Sequence, residues 1–146
     1  GSQGDGIFMI QTVRDLEVKM STKANSSAVC QRYISKPLVL NGFKFDLRVY
    51  VLVAGGSCRN MRENPPAVFV CKEGLARFCT QKYTEPSGDN LHKCMGHLTN
   101  YSLNKRSEDF VHGGETLDTV LDPCSDASKR PLTAVLKQME VEIEGF

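Results

Sequence analysis

The stretch GFKFDLRVYVLVAGG, residues 42–56, combines two patterns that usually belong to different kinds of strand. Its first part alternates charged and apolar side chains, and from Val49 onward it is almost wholly apolar. Because successive side chains of a strand point to opposite faces, Lys44, Asp46 and Arg48 share one face of the predicted strand. A strand that begins with three charges on one side and continues as a core strand needs an explanation for those charges.

Two interpretations of the charged face are open from the residues alone. Neighbours on one face of a strand lie roughly 6.6 Å apart along the backbone, so a small charged ligand can bridge two of them. The charges can belong to an exposed edge, where they compensate one another. Alternatively, they form a phosphate or carboxylate site. The next residues on this face, Tyr50 and Leu52, favour a covered face, and covered charges must be paired or bound.

The composition is that of one globular domain. The chain has 146 residues, of which 40% are hydrophobic, enough for a core but too few residues for two ordinary domains. Charged residues make up 24% and the net charge is +1, which gives no reason to expect nucleic acid or an anionic membrane as a partner. No apolar run approaches the ~18 residues that span a bilayer. A start on Gly1 indicates a trimmed N-terminus, so the lack of a secretory signal carries no weight.

The cysteines are expected to be free thiols in a reducing compartment. No two of them form a CxxC pair, and their spacing fits no zinc pattern. Two lie in apolar, strand-like runs, where a thiol behaves as a small hydrophobic group. Those two are Cys30 and Cys71, and the other four are Cys58, Cys79, Cys94 and Cys124.

Apolar runs predict three further strands. GIFMI, residues 6–10, follows a turn that contains glycine, and AVCQRYI, residues 28–34, ends before Pro37, which cannot donate to a ladder. AVFVCKEG, residues 67–74, should pair antiparallel with the central strand, because so short a link cannot hold a crossover helix.

Two helices are predicted, one near each end of the chain. The first has Thr12 as its N-cap and apolar residues at helical spacing. The last begins near Pro131, a residue favoured in a first helical turn, and is amphipathic. The apolar residues are Val13, Leu16 and Met20 in the first helix and Leu132, Val135, Leu136, Met139 and Ile143 in the last.

The remaining segments have weaker signals. LARFCTQKY, residues 75–83, is expected to be irregular or briefly helical, and TEPSGDN, residues 84–90, is a turn-rich loop. HLTNYSLNK, residues 97–105, is polar and only weakly periodic. Residues 108–129 are acidic and turn-prone, which is typical of a mobile insertion.

Four motifs together resemble the tubulin tyrosine ligase-like family. They are VCQRYISKPLVL at residues 29–40, KFDLRVYVLV at 44–53, GLARF at 74–78 and HLTNYSLNK at 97–105. They occur in the family's order and at its spacings, and the resemblance covers nearly the whole chain. It implies an α+β fold of the ATP-grasp type, an antiparallel sheet flanked by helices, of which residues 1–146 would be a partial domain.

The resemblance also implies an activity. Such enzymes are ATP-dependent ligases that phosphorylate a carboxylate to an acyl phosphate, which an incoming amine then attacks. The implied reaction is tubulin polyglutamylation, in which free glutamate is joined to glutamates of the C-terminal tails of α- or β-tubulin. The implied partners are tubulin tails and microtubules, with no nucleic acid and no membrane. The implied location is the cytoplasm and cytoskeleton, including the basal body of a cilium or flagellum.

The resemblance assigns ATP-binding positions in three places. One segment would line the adenine pocket, where backbone N–H and C=O groups read the base edge, although a purely structural strand is the alternative there. Two charges of the central strand would face the ribose and phosphates. A loop would contact nucleotide or phosphate, although its histidine can equally fix the loop by a hydrogen bond. These positions are Gln31, Arg32, Tyr33 and Ile34, then Lys44 and Asp46, then His97, Leu98, Thr99 and Asn100.

Three further positions concern the substrate and the chemistry. Arg48 matches a position that holds the carboxylate of the amino-acid substrate, a task suited to a planar bidentate donor. Arg77 matches an arginine on the phosphate side, and both arginines would be catalytic. Gln3 would contact substrate. The charged start of the central strand would then be the floor of the active site, and its apolar continuation the sheet core.

The resemblance favours a chain-elongating polyglutamylase. Family members that start side chains tend to have an arginine near Gln3, whereas elongating enzymes resemble QGDGI, and FCTQKYTEP at residues 78–86 also looks like the glutamylases. The alternatives are a tubulin glycylase and a non-catalytic module that binds tubulin or nucleotide. Six intact family residues favour the enzyme: Gln31, Lys44, Asp46, Arg48, Arg77 and Asn100.

The family pattern is incomplete in this chain. The lysines expected upstream of the glycine-rich loop and the downstream aspartate and Glu-x-Asn strand are missing. The latter bind Mg²⁺, which stabilises the charge that develops in phosphoryl transfer, so this chain is expected to hold no metal ligands and to be inactive alone. Glu140 and Glu142 are poor substitutes, since Glu140 falls off the apolar face of the last helix and would be solvated.

Overall fold

A computed structural model of the protein describes residues 6–21, 27–56, 62–123 and 125–144. The chain divides into two compact units, the first made of Gly1–Lys44 and Cys79–Asp109 and the second of Phe45–Phe78 and Phe110–Phe146. In chain order the elements are α1 (Val13–Ser21), β1 (Val39–Leu40), β2 (Phe43–Arg48), β3 (Val51–Ala54), β4 (Ala67–Val70), β5 (Leu75–Phe78), a 3₁₀ turn (Cys94–Gly96), α2 (Tyr101–Asn104), α3 (Leu117–Val120), β6 (Lys129–Pro131) and α4 (Leu132–Glu144).

In the first unit, helix α1 begins as predicted at Thr12. The Thr12 side-chain oxygen accepts a hydrogen bond from the Asp15 N–H (3.2 Å), and Asp15 Oδ2 accepts one from the Thr12 N–H (2.8 Å). This reciprocal arrangement satisfies two N–H groups that a helix start leaves without intrahelical partners. The bonds to its carboxylate, first of all from the Thr12 backbone, hold the pKa of Asp15 below its ordinary value.

A tight hairpin joins β1 to the start of β2. Leu40 pairs with Phe43 across a two-residue turn in which Asn41 and Gly42 both have positive φ, 52° and 82°. Asn-Gly is the dipeptide that such a turn favours, because both residues tolerate the left-handed region. Leu40 is 3% exposed, so the hairpin contributes to the core of the first unit.

Two predicted strands of the first unit are wrong. Residues 7–10 and 28–34 belong to no ladder among the described residues. An apolar run becomes a strand only when a second chain segment pairs with it, and much of the side-chain surface here stays open, with Val29 94% and Ile34 72% exposed. The loop predicted at residues 84–90 is confirmed, and Asn90 closes it by donating a hydrogen bond to the Glu85 carbonyl (2.7 Å).

In the second unit, β5 is the central strand of an antiparallel sheet with the order β2-β5-β6. Phe45 lies opposite Phe78 on one side, and Arg77 lies opposite Lys129 on the other. The prediction that residues 75–83 are irregular or helical is therefore wrong for Leu75–Phe78. Ala76 is fully buried and Phe78 is 4% exposed, as expected for a strand with neighbours on both sides.

The predicted central strand is in fact two strands, because Val49 and Tyr50 interrupt it. The second half, β3, pairs antiparallel with β4, as predicted for residues 67–74. The expectation that this apolar part is a covered sheet core is wrong for the described structure, since Tyr50 is 44% and Leu52 58% exposed. The resulting β3–β4 hairpin exposes apolar side chains on both faces.

Helix α4 confirms the second predicted helix, with Pro131 immediately before it. Val135 is fully buried and Leu132 is 7% exposed, whereas Leu136, predicted on the same face, is 41% exposed. Met139 is half-buried, and the side chain of Ile143 lies outside the described part.

The acidic segment before β6 has more structure than predicted. It contains α3, and its end is anchored, because Ser128 accepts a hydrogen bond from the Val111 N–H on its side chain (3.1 Å) and one from the Phe78 N–H on its carbonyl (2.8 Å). Ala127 and Ser128 are 3% and 7% exposed. The prediction of a mobile insertion is therefore wrong at least at this end of the segment.

Other broad expectations can be compared with the described residues. All strand pairs described are antiparallel and accompany helices, so the α+β class is confirmed. Cys30, Cys71, Cys79 and Cys94 are thiols and form no disulfide among the described residues, whereas Cys58 and Cys124 lie outside those residues. Among the helices that the structure describes, none has the length and apolar character needed to cross a membrane.

Glu73 caps helix α4 from a distant part of the chain. Its carboxylate accepts hydrogen bonds from the Gly74 N–H (2.8 Å), the Thr133 N–H (3.2 Å) and the Thr133 hydroxyl (2.6 Å). Partial burial disfavours the ionised form, but these hydrogen bonds outweigh it and hold the pKa of Glu73 below its ordinary value. An anion at a helix start is also favoured by the helix dipole.

We predict that Glu73→Gln lowers the free energy of unfolding by about 0.5 to 1 kcal/mol at neutral pH, because the amide keeps the shape but loses the charge. The pKa of Glu73 is lower in the folded state than in the unfolded state, so its carboxylate stabilises the fold fully at any pH above the unfolded-state pKa. That contribution disappears as the pH falls through the folded-state pKa. The stability difference between the proteins should therefore shrink below about pH 4.3 in denaturant titrations at several pH values. A difference that stays constant down to pH 2 would contradict this role of the charge.

Candidate functional site

In the first unit, the side chain of Lys44 is held by groups distant in sequence. Its Nζ donates hydrogen bonds to the His97 carbonyl (2.7 Å) and to the Tyr33 hydroxyl (3.3 Å). The ammonium also lies 4.5 Å from the centroid of the Tyr33 ring, a cation–π distance. Three predicted ATP-binding positions, Tyr33, Lys44 and His97, are therefore in contact, and we call them the lysine cluster.

His97 is the buried member of the lysine cluster, with 1% exposure. The rings of Tyr33 and Tyr83 meet it edge-on, with centroid distances of 5.8 and 5.9 Å, and its Nδ1 lies 3.2 Å from the Tyr33 hydroxyl. Burial, and then the positive charge of Lys44, hold the pKa of His97 below its ordinary value. A neutral, enclosed imidazole favours the structural interpretation of this histidine over a catalytic one.

The hydroxyl of Tyr33 completes the cluster. Burial is the main cause that raises the pKa of Tyr33 far above its ordinary value, so the phenol keeps its proton at neutral pH. It can accept from Lys44 and donate to His97 Nδ1 at the same time. The neighbouring Tyr83 hydroxyl donates a hydrogen bond to the Ser35 carbonyl, which fixes the chain two residues beyond Tyr33.

The segment predicted to bind adenine lines an open depression. Arg32, Tyr33 and Ile34 contribute to it, together with the two residues that follow. Of the four predicted residues, Tyr33 alone is half-buried, while Gln31, Arg32 and Ile34 are exposed. The backbone of residues 31–34 makes no hydrogen bond with other described residues, so its N–H and C=O groups are open to a ligand.

The loop at residues 97–100 joins the 3₁₀ turn to α2. Leu98, Thr99 and Asn100 are all half-buried. The Asn100 carbonyl accepts from the Asn104 N–H (3.0 Å), so it begins α2 through its backbone and not through its side chain. The side chain that holds this loop is Asn104, which the sequence reasoning did not single out.

In the second unit, Asp46 and Arg77 form a bidentate ion pair. Arg77 Nε donates to Asp46 Oδ1 (2.9 Å), and Nη2 donates to Oδ2 (2.6 Å). The β2–β5 register places the two residues directly opposite each other. The hydrogen bonds with Asp46 raise the pKa of Arg77 above its ordinary value. Sequence reasoning gave these residues separate tasks, because it did not predict β5.

Arg48 ends β2 with an exposed side chain. Its guanidinium carbon lies 5.8 Å from the centroid of the Tyr50 ring. The Arg48 side chain makes no hydrogen bond with the residues that the structure describes. Gln3, the predicted substrate contact, lies outside the described residues. No group of three or more His, Cys, Asp or Glu side chains within the described ranges could hold a metal ion.

The mixed α+β architecture accompanies a sequence that matches one known class of protein. Residues 1–121 match the model of the Tubulin-tyrosine ligase family, and the chain belongs to that family.

Curated relatives of the chain are tubulin polyglutamylases. It is 43% identical over 140 residues to tubulin polyglutamylase ttll6 of Danio rerio, which covers 96% of this chain and 15% of the relative. The identity is 50% over 111 residues to tubulin polyglutamylase TTLL6 of Mus musculus, covering 76% and 12%. It is 40% over 136 residues to tubulin polyglutamylase TTLL11 of Homo sapiens, covering 93% and 17%. The chain thus spans less than a fifth of the length of these relatives.

We predict that Lys44→Met raises the pKa of His97, because the variant removes a nearby positive charge that disfavours the imidazolium. The pKa should still lie below its ordinary value, since His97 stays buried. An NMR titration of the imidazole resonances measures this directly. Because the folded-state pKa of His97 is lowered, its neutral imidazole contributes its full stabilisation above the unfolded-state pKa of about 6.5. This contribution is lost as the pH falls through the folded-state pKa. The loss should be smaller in Lys44→Met than in the parent. An unchanged or lower pKa would mean that Lys44 does not act on His97.

Proposed function

We propose that this chain is part of an ATP-dependent ligase that adds glutamate to glutamates of tubulin tails. The support is membership of the Tubulin-tyrosine ligase family together with relatives named tubulin polyglutamylases at 40% to 50% identity. Those names favour glutamate over glycine as the added amino acid. The complete catalytic domain would have the ATP-grasp fold, and this chain would supply a central, nucleotide-binding part of it.

The observation that carries the proposal is the orientation of Lys44. The ammonium donates hydrogen bonds to two uncharged acceptors, the His97 carbonyl and the Tyr33 hydroxyl, and these bonds set its direction. His97 is fixed by burial, and its ring meets the half-buried Tyr33 ring edge-on. A half-buried cation held this way suits a phosphate oxygen, because little side-chain freedom is lost when the anion binds.

The adenine end of the nucleotide would lie against residues 31–34. These residues line an open depression, and Tyr33 connects them to Lys44 through its hydroxyl. Their open backbone N–H and C=O groups fit the edge of a base, which presents donors and acceptors. In this proposal Gln31, Arg32 and Ile34 offer the adenine mainly their backbone groups and an exposed contact surface. Residues 97–100 form the loop beside them.

Arg77 would serve the phosphate side. The Asp46 carboxylate fixes the Nε–Nη2 edge of its guanidinium, and in the described part of the chain Nη1 has no hydrogen-bond partner. A guanidinium fixed on one edge can present the other edge to an anion with its direction already set. Asp46 would act first by positioning Arg77, in addition to any contact it makes with ribose or a metal-bound group.

Arg48 would hold the carboxylate of free glutamate. It is exposed at the end of β2, and a guanidinium matches a carboxylate by two parallel hydrogen bonds. When bound, ATP would supply the phosphoryl group that activates the acceptor carboxylate as an acyl phosphate for attack by the glutamate amine. The Mg²⁺ ligands are expected outside this chain, which would therefore be inactive alone.

The finer features of the activity rest on sequence resemblance. Residues 3–7 resemble chain-elongating glutamylases, and residues 78–86 resemble the glutamylases in general. Together they favour elongation of existing glutamate chains. Tubulin as substrate would place the protein on microtubules in the cytoskeleton, with the cilium or its basal body as one site.

Kinetics of the complete protein test these roles. Lys44→Ala and Asp46→Ala should raise KM for ATP at least 10-fold, as expected for loss of a charge-assisted hydrogen bond worth about 1.5 to 3 kcal/mol. Arg48→Ala should chiefly raise KM for glutamate. Incorporation of labelled glutamate into microtubules measures both constants, with Arg14→Ala on the exposed surface of α1 as control. Equal loss of ATP affinity in Lys44→Ala, Asp46→Ala and Arg48→Ala would show that the roles are assigned wrongly.

A further inference from the structure

Asn104, the last residue of α2, is 1% exposed, and its side-chain amide is saturated with hydrogen bonds. Its oxygen accepts from the Thr80 N–H (2.9 Å) and the Thr80 hydroxyl (3.1 Å), and its nitrogen donates to the Leu98 carbonyl (2.7 Å) and the Asn100 carbonyl (3.0 Å). An amide is the side-chain group that accepts on one side and donates twice on the other. No aliphatic or charged side chain of this size can reproduce that pattern.

These hydrogen bonds close a ring that includes Lys44. The Cys79 N–H donates to the Lys44 carbonyl (2.8 Å), and Thr80 is the next residue. Thr80 is hydrogen-bonded to Asn104, and Asn104 donates a hydrogen bond to the Leu98 carbonyl in the loop. The residue before Leu98 is His97, whose carbonyl accepts a hydrogen bond from Lys44 Nζ. Both the backbone and the ammonium of Lys44 are thus connected to Asn104, and every member of the ring lies in the first unit.

Additional contacts show that the 3₁₀ turn just before this loop lies close to the segment that follows Thr80. The Gln81 N–H donates to the Met95 carbonyl (3.2 Å). A Cβ placed on Gly96 would lie 3.0 Å from the Lys82 carbonyl oxygen, so this approach leaves little room for a side chain. Helix α2 has four residues and cannot hold its own position by helix formation, which makes the Asn104 bonds the main directional link.

We propose that Asn104 is a positioning residue that sets the loop at residues 97–100, and through it Lys44, for nucleotide binding. This inference rests on the proposed ATP site. The amide holds the Leu98 and Asn100 carbonyls against Thr80, and the His97 carbonyl then lies where it orients the ammonium. Without the hydrogen bonds from Asn104 Nδ2, the loop is no longer held in place. The His97 carbonyl then no longer fixes the direction of the Lys44 ammonium.

Asn104→Asp in the complete protein tests the donor side. The carboxylate still accepts from Thr80, but it puts an acceptor against the Leu98 and Asn100 carbonyls. We expect KM for ATP to rise about 10-fold or more, with KM for glutamate unchanged, in the labelled-glutamate assay on microtubules. A residue that only stabilises the fold would lower the amount of active protein and hence the rate, and it would leave KM for ATP unchanged. That second result would overturn the proposal.

Variants at Thr80 decide the matter if Asn104→Asp does not fold. Thr80→Val removes one hydrogen bond to Asn104 Oδ1 and should raise KM for ATP about 2- to 5-fold, whereas Thr80→Ser keeps the hydroxyl and should recover most of the affinity. Equal KM values in these two folded variants and the parent would refute the positioning role.

Lys44→Ala separates failure of the proposed ATP site from failure of the positioning role. If Lys44→Ala raises KM for ATP while the Asn104 and Thr80 variants do not, the nucleotide site stands and the positioning role fails. If Lys44→Ala leaves KM unchanged, the proposed site itself fails.

Discussion

The backbone pairing of β2 is the constraint on which both candidate sets of side chains depend. In the first unit, the Lys44 carbonyl accepts from the Cys79 N–H, which brings the strand beside the segment that binds Asn104. In the second unit, the antiparallel register with β5 sets Asp46 opposite Arg77 and so produces their bidentate pair. A slip of one residue in this register would turn Arg77 to the other face and break the pair. Main-chain hydrogen bonds thus place these candidate side chains, and side-chain hydrogen bonds then set their orientation.

Local signals predicted the elements whose structure is decided locally. The Thr12 cap and the apolar spacing after it identified α1, and the apolar face after Pro131 identified α4. The short link before residue 67 was enough to predict the β3–β4 pair. By contrast, β5 is four residues long and becomes a strand because two partners flank it, a fact that its own residues do not encode. The apolar runs at residues 7–10 and 28–34 failed for the converse reason, since no partner lies beside them among the described residues.

The candidate site was predictable in its residue types but not in its connections. Alternation along β2 singled out Lys44 and Asp46, and family resemblance added Tyr33, His97 and Arg77. Their contacts join residues 11 to 64 positions apart, which periodicity cannot reveal. Asn104 was not predicted, because a polar residue in a polar segment is expected to be exposed to solvent. In the structure it is 1% exposed and, with His97, among the most buried polar side chains described. The Asn-Gly pair at residues 41–42 was a local hairpin signal that the sequence reasoning overlooked.

Lys44, oriented by its own chain, is the residue that we propose to bind a nucleotide phosphate. A thermal-shift titration with ATP and Mg²⁺, run on the parent protein and on Lys44→Met, tests this most directly. Ligand at 100 times its dissociation constant stabilises the folded state by about 2.7 kcal/mol, a clear rise in Tm. We expect that rise in Tm in the parent and its loss in Lys44→Met at the same ligand concentrations. Equal shifts in the two proteins would show that ATP binds without Lys44 and would contradict the account.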